Sequence, residues 1–146
     1  MKVSEPLIEV KQNFPQPIEN VWRAITDVNE MRQWFFDTIP AFEPSVGFKT
    51  QFIVTSEDRI FPHLWRITEV IPFKKIVYNW KYEGYEGNSF VTFQLSEKNN
   101  QTLLTLTTKV IKDFPDDILE FKRESCVAGW NYFIKDSLVN YFNSKS

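Results

Sequence analysis

The stretch QPIENVWRAITDVNEMRQWF, Gln16 to Phe35, decides how this chain is read. Pro17 suits a first helical position, because proline leaves no N–H unpaired there and its φ is already near the helical value. Ile18, Val21, Trp22 and Ile25 then fall at i, i+3, i+4 and i+7, the spacing of a helix with one apolar stripe. Asp27 supplies a stop, and Asn29 is the expected N-cap of a second short helix over Glu30 to Phe35. Two short helices joined by a tight corner follow directly on a strand. In that strand, Leu7 to Asn13, Ile8 and Val10 alternate with Glu9 and Lys11 until FPQP breaks the pattern.

Beyond PAFEPSVG the apolar period changes from helical to two. Phe48, Thr50, Phe52 and Val54 alternate with Lys49, Gln51 and Ile53. Further strands are predicted over His63–Ile71, Ile76–Tyr82, Ser89–Ser96 and Leu103–Val110, separated by SEDR, PFKK, EGYEGN and EKNNQ. These turns fall at hairpin spacing, which implies an antiparallel meander and not βαβ units. Trp65, Ile67 and Glu69 share one parity while Val70 also reads as apolar, so a β-bulge is expected near Thr68–Val70. Asp117 and Glu120 form a candidate capping box for a long last helix. Its stripe is Cys126, Trp130, Phe133, Ile134, Ser137, Leu138 and Tyr141. The fold class is therefore α+β: a curved six-stranded antiparallel sheet wrapped around a long C-terminal helix, a single domain over residues 1–146.

Composition narrows the function. A net charge of −2 lacks the basic footprint of a nucleic-acid binder. The apolar runs are too short for a membrane span, and with no apolar leader in MKVSEPLIEVK a cytoplasmic location is expected. The single Cys126 excludes an internal disulfide, and with His63 as the only histidine no soft-ligand metal site is expected. Aromatics make up 16% of the chain, and rings in that number either build a dense core or wall an apolar pocket.

The blocks P…VWRAITD…MRQWF, VGFKTQF, ITEVIPFKKIVYNW, VTFQLSEKNNQTLLTLT and GWNYF occur in an order and spacing that resemble one family. It is the family of activators of the heat-shock-protein-ninety ATPase, within the START-like, birch-pollen-allergen-like (SRPBCC) superfamily of helix-grip proteins. The resemblance covers nearly the whole chain. It implies a helix-grip fold, and a function ranging from co-chaperone to carrier of lipids, sterols or polyketides, or to cyclase. The chain departs from the family at Ser45-Val46-Gly47, where glycines are common, and at Trp65, where a small residue is common.

The leading expectation is a non-enzymatic domain that holds an apolar or amphipathic small molecule between sheet and last helix, with no cofactor and no metal. Candidate cavity residues are Trp34, Phe35, Phe52, Trp65, Ile67, Glu69, Tyr78, Trp80, Phe93, Leu106, Trp130, Phe133 and Ile134. The second short helix and the loop after it would act as a gate. Tyr78, Tyr82 and Thr92 could offer neutral hydrogen bonds. Glu69, should it turn inward, could serve as an acid or base in a cyclase or dehydratase reading. The co-chaperone reading instead requires an exposed patch that a chaperone partner recognises; in either case a monomer or weak dimer is expected. His63, after Pro62 at a strand start, is expected at the surface or an edge. Gly129 inside a helix implies close approach of a strand or a ligand, since a helical glycine costs about 1 kcal/mol relative to alanine.

Overall fold

The computed structural model describes residues 1–145. One antiparallel sheet runs in the order β1-β6-β5-β4-β3-β2, so the first strand closes beside the last. The strands are β1 (Ile8–Phe14), β2 (Lys49–Ser56), β3 (Arg59–Ile71), β4 (Lys75–Tyr82), β5 (Asn88–Lys98) and β6 (Gln101–Lys112). Helices α1 (Ile18–Thr26) and α2 (Val28–Trp34) lie between β1 and β2, and the chain ends in α3 (Arg123–Asn131) and α4 (Leu138–Lys145).

Hairpin chemistry sets the register. Lys98 pairs with Gln101 across Asn99-Asn100, both at positive φ, the conformation a two-residue type I′ turn requires. The expected bulge lies between Ile67 and Glu69. Before it, Trp65 and Ile67 face the core; after it, Glu69 faces solvent and pairs with Lys75 at 3.3 Å. The extra residue has thus turned the carboxylate away from the helix side, correcting the inward position proposed for Glu69.

The corner between α1 and α2 is built on Asp27. Its carboxylate accepts from the backbone N–H groups of Asn29 (2.9 Å) and Glu30 (3.1 Å), so Asp27 is the N-cap in place of Asn29. Pro17 likewise sits at the N-cap of α1, one position before the helix. Val21, Trp22, Ala24 and Ile25 of α1 and Met31 and Trp34 of α2 are buried. Trp34 is tied down by its indole N–H, which donates to the Ala24 carbonyl at 2.7 Å.

The C-terminal helix starts later than expected. Asp117 and Glu120 make no capping box: the Glu120 carboxylate is held by Arg59 at 3.1 Å. Leu119–Phe121 form one 3₁₀ turn, and Lys122 is extended before α3 begins at Arg123. Between α3 and α4 the helix widens into a π segment, Tyr132–Ser137. Its position has a reason. Trp130, Ile134, Leu138 and Phe142 are all buried at four-residue intervals, and on an ordinary α-helix each such step drifts about 40° around the axis. A wider i→i+5 turn winds more slowly, keeping the stripe on the sheet. Ser137 fastens the segment by donating to the Trp34 carbonyl at 2.6 Å.

Candidate functional site

The space between sheet and helix is mostly filled by aromatic rings. Phe35 and Phe36, at the end of α2, lie at its centre. Phe35 stacks on Trp34 at 4.7 Å between ring centroids and meets Phe133 edge-on at 4.9 Å, with Trp65 at 5.6 Å and Trp130 at 5.8 Å. Phe36 packs on Phe133 (5.0 Å), His63 (5.1 Å) and Phe52 (5.4 Å). Phe42, farther along the same segment, stacks on Tyr78 at 5.6 Å. Residues 35–48 form neither helix nor strand and act as a strap threaded through the grip. Arg32 clips the strap in place: its Nε donates to the Ile39 carbonyl at 2.8 Å and its Nη2 to the Pro40 carbonyl at 2.9 Å.

Among the described residues, a partly open cavity of about 110 Å³ remains between sheet and helix. It lies where β3 to β6 face α3. Its walls include Phe36, His63, Trp80, Tyr82, Ser89, Val91, Thr108, Cys126, Gly129, Trp130 and Phe133, with Met1 and Phe114 closing the far side. No Asp, Glu, Lys or Arg lines it. A Cβ built on Gly129 would meet nothing within 4 Å. Neither a strand nor a side chain therefore demands the glycine; it opens a bare patch of helix backbone beside the cavity.

The polar side chains in the walls are uncharged, and the Met1 ammonium beside them donates to the Phe121 carbonyl. Ser89 Oγ donates to the Trp80 carbonyl at 2.8 Å, and Tyr82 Oη accepts from Trp80 Nε1 at 2.9 Å. His63 is not at the surface. It is 5% exposed and stacks on Phe52 at 5.0 Å, with Tyr82 edge-on at 4.7 Å. The reason is strand length: β3 begins at Arg59, so His63 lies mid-strand between β2 and β4, on the inward parity of Phe61 and Trp65. Burial pushes its pKa down to about 4, offset in part by the bond from Nδ1 to the Phe61 carbonyl at 2.9 Å. That bond requires a proton on Nδ1, which leaves Nε2 as an acceptor in the neutral ring. Burial also pushes the Cys126 thiol up to about 11 and the Tyr82 hydroxyl higher still. Thr108 is 3% exposed, and its hydroxyl has no hydrogen-bond partner.

Of the residues expected from sequence, Trp80, Tyr82, Trp130 and Phe133 line the cavity. Trp34, Phe35, Phe52, Trp65, Ile67, Tyr78, Phe93, Leu106 and Ile134 are buried in the packed core beside it. Glu69 stands outside. Thr92 pairs with Val77 and Thr107 on the opposite parity from Val91 and Phe93, so it too faces away. Sequence reasoning missed Thr108, Ser89 and Phe36. Thr108 was within reach, since it continues the inward parity of Leu104 and Leu106 on β6.

A family model described as activator of Hsp90 ATPase homolog 1-like protein matches residues 15–143. The chain belongs to this family. Solved structures share its fold. DynU16, from the dynemicin biosynthetic locus, aligns at a TM-score of 0.76 with 22% identity over 97% of this chain and 49% of its own. The chain thus spans about half the length of DynU16. PFC0360w of Plasmodium falciparum, an HSP90 activator, gives 0.74 with 24% identity over 95% of this chain and 97% of its own. CalU16 of Micromonospora echinospora gives 0.66 with 25% identity over 96% and 76%. No curated protein matches the chain. Among the described residues, no helix is long and apolar enough to cross a membrane, and no group of three or more His, Cys, Asp or Glu could hold a metal ion.

Proposed function

We propose that this domain is a non-enzymatic binder of a small apolar or amphipathic molecule, held between the sheet and α3. The observation that carries the reading is the 110 Å³ cavity with its aromatic walls, free of charged side chains, and the bare backbone at Gly129. A partly open apolar cavity of this kind gains free energy by removing a ligand's surface from water, at roughly 25 cal/mol per Å². Phe36 forms one wall and belongs to the strap, so movement of residues 35–36 would enlarge the site toward Phe52 and Trp65. Trp65 packs behind Phe36, 6.2 Å away between ring centroids, and fills the space on that side. The Glu69 carboxylate that suggested a cyclase or dehydratase reading is paired with Lys75 outside the cavity, so such a reading would have to use His63, the imidazole in the wall.

Native mass spectrometry of the protein purified from its own host tests this, alongside Phe36→Ala, which widens the site. The expected result is a co-purifying mass, with higher occupancy in the variant. A bare chain mass in both would overturn the reading.

The family match and the likeness to the Plasmodium HSP90 activator support a second reading, a co-chaperone module. It predicts stimulation of the host ninety-kilodalton chaperone's ATPase, and an unchanged rate at saturating protein would remove it.

A further inference from the structure

We propose that the cavity selects small neutral alcohols over hydrocarbons of the same shape, with the Thr108 hydroxyl as the specificity-determining group. The inference rests on the small-molecule reading above and names the ligand class.

Size comes first. An apolar cavity of about 150 Å³ holds benzene, so about 110 Å³ suits a skeleton no larger than a five-membered ring with the strap in place. Charge comes second. No Asp, Glu, Lys or Arg is in the walls. His63 is kept neutral by burial, and Cys126 and Tyr82 are held protonated. The charged group at the wall is the Met1 ammonium, which donates to the Phe121 carbonyl, so a cationic ligand would give up its hydration with no counter-charge in return, and that cost excludes it.

The third term is the hydroxyl. A buried hydroxyl without a partner is disfavoured, and the penalty is relieved when a ligand supplies the missing hydrogen bond. Thr108 lies on β6 opposite Val91, and both residues line the cavity. The other wall hydroxyl with a fixed donor role, Ser89, is already committed to the Trp80 carbonyl. Thr108 Oγ1 is therefore the wall hydroxyl that makes no hydrogen bond of its own, able to donate to or accept from a ligand hydroxyl. In an apolar cavity an alcohol is at a disadvantage against its hydrocarbon isostere, because it leaves its hydrogen bonds behind in water. Here Thr108 offsets that loss.

Three probes of one shape separate the contributions: methylcyclopentane, cyclopentanol and cyclopentylammonium. Binding is read from the indole N–H resonances of Trp80 and Trp130, which line the cavity, with Trp22 on α1 as the remote control. Cyclopentanol is expected to bind more tightly than methylcyclopentane, and cyclopentylammonium to leave both signals unmoved. Thr108→Val, close in shape but without the hydroxyl, should weaken cyclopentanol about fivefold, the worth of one neutral hydrogen bond. It should leave methylcyclopentane within about twofold, and Thr108→Ser should restore the alcohol. Methylcyclopentane binding in wild type while Thr108→Val weakens both neutral probes alike, or neither, overturns the assignment and leaves the small-molecule reading standing. Ammonium binding on a par with the alcohol also overturns it. Silence of Trp80 and Trp130 toward all three probes overturns both.

Discussion

The buried histidine makes the stability of this protein depend on pH in a calculable way. His63 has its folded pKa lowered from 6.5 to about 4 by burial. Unfolding exposes the ring and returns it to the ordinary value. Between about pH 4 and 6.5 the unfolded chain therefore binds a proton that the folded chain does not, so stability rises with pH across that window. The contribution is fully present above about 6.5 and is lost as pH falls through about 4. At about 1.4 kcal/mol per decade of proton activity, it amounts to about 3 kcal/mol.

Since His63 is the only histidine, its Hε1 resonance is assigned by inspection, and the native titration can be followed directly. Urea unfolding of wild type and His63→Gln at several pH values between 4.5 and 7.5 isolates its share, because the carboxylates contribute equally to both. The wild-type curve should be steeper by up to about 1.4 kcal/mol per pH unit. A native midpoint near 6.5, or parallel curves for the two proteins, would refute the buried, neutral placement of the ring.

Three further outcomes follow from the packing. Phe35→Ala removes the ring at the centre of the grip and should cost about 4 kcal/mol in urea unfolding; a loss under about 1 kcal/mol would mean that the strap does not occupy its site. Gly129→Ala should raise stability by about 1 kcal/mol, since the new methyl meets nothing within 4 Å and alanine favours the helix; a destabilised variant would contradict the open space there. Gly87→Ala should lose about 1–3 kcal/mol, because its φ of 116° is strained for a side chain and the Cβ would fall 2.3 Å from the Phe114 ring; an unchanged midpoint on thermal melting would contradict that contact.

The architecture was legible because strand alternation and helical spacing are local signals. The alternation of Ile8 and Val10 with Glu9 and Lys11, and the stripe through Trp130 and Ile134, were each imposed by burying one face. What sequence could not resolve was competition between partners far apart in the chain. Glu120 reads as a capping residue until Arg59 takes its carboxylate, and no local pattern announces a partner 61 residues away. His63 was misplaced for a related reason: Pro62 suggested a strand start, whereas β3 carries its proline internally and runs on from Arg59. The site was less legible than the fold. Aromatic positions were assigned to the inward face correctly, but whether rings fill the grip or wall a hole depends on where the strap goes. Residues 35–48 have no period from which to read it.

The π segment has a consequence for chain length. A turn closed by i→i+5 bonds holds one residue more than an α-turn, so Tyr132–Ser137 carries a spare residue. Deleting one residue there lets the segment close as ordinary α-helix while Trp130 and Leu138 keep their phase toward the sheet. A deletion within α3 or α4 instead rotates every later side chain by about 100°, turning a buried ring such as Phe142 toward water. The long helix thus has one stretch where a single-residue deletion is expected to be tolerated, and it is the stretch that touches the strap.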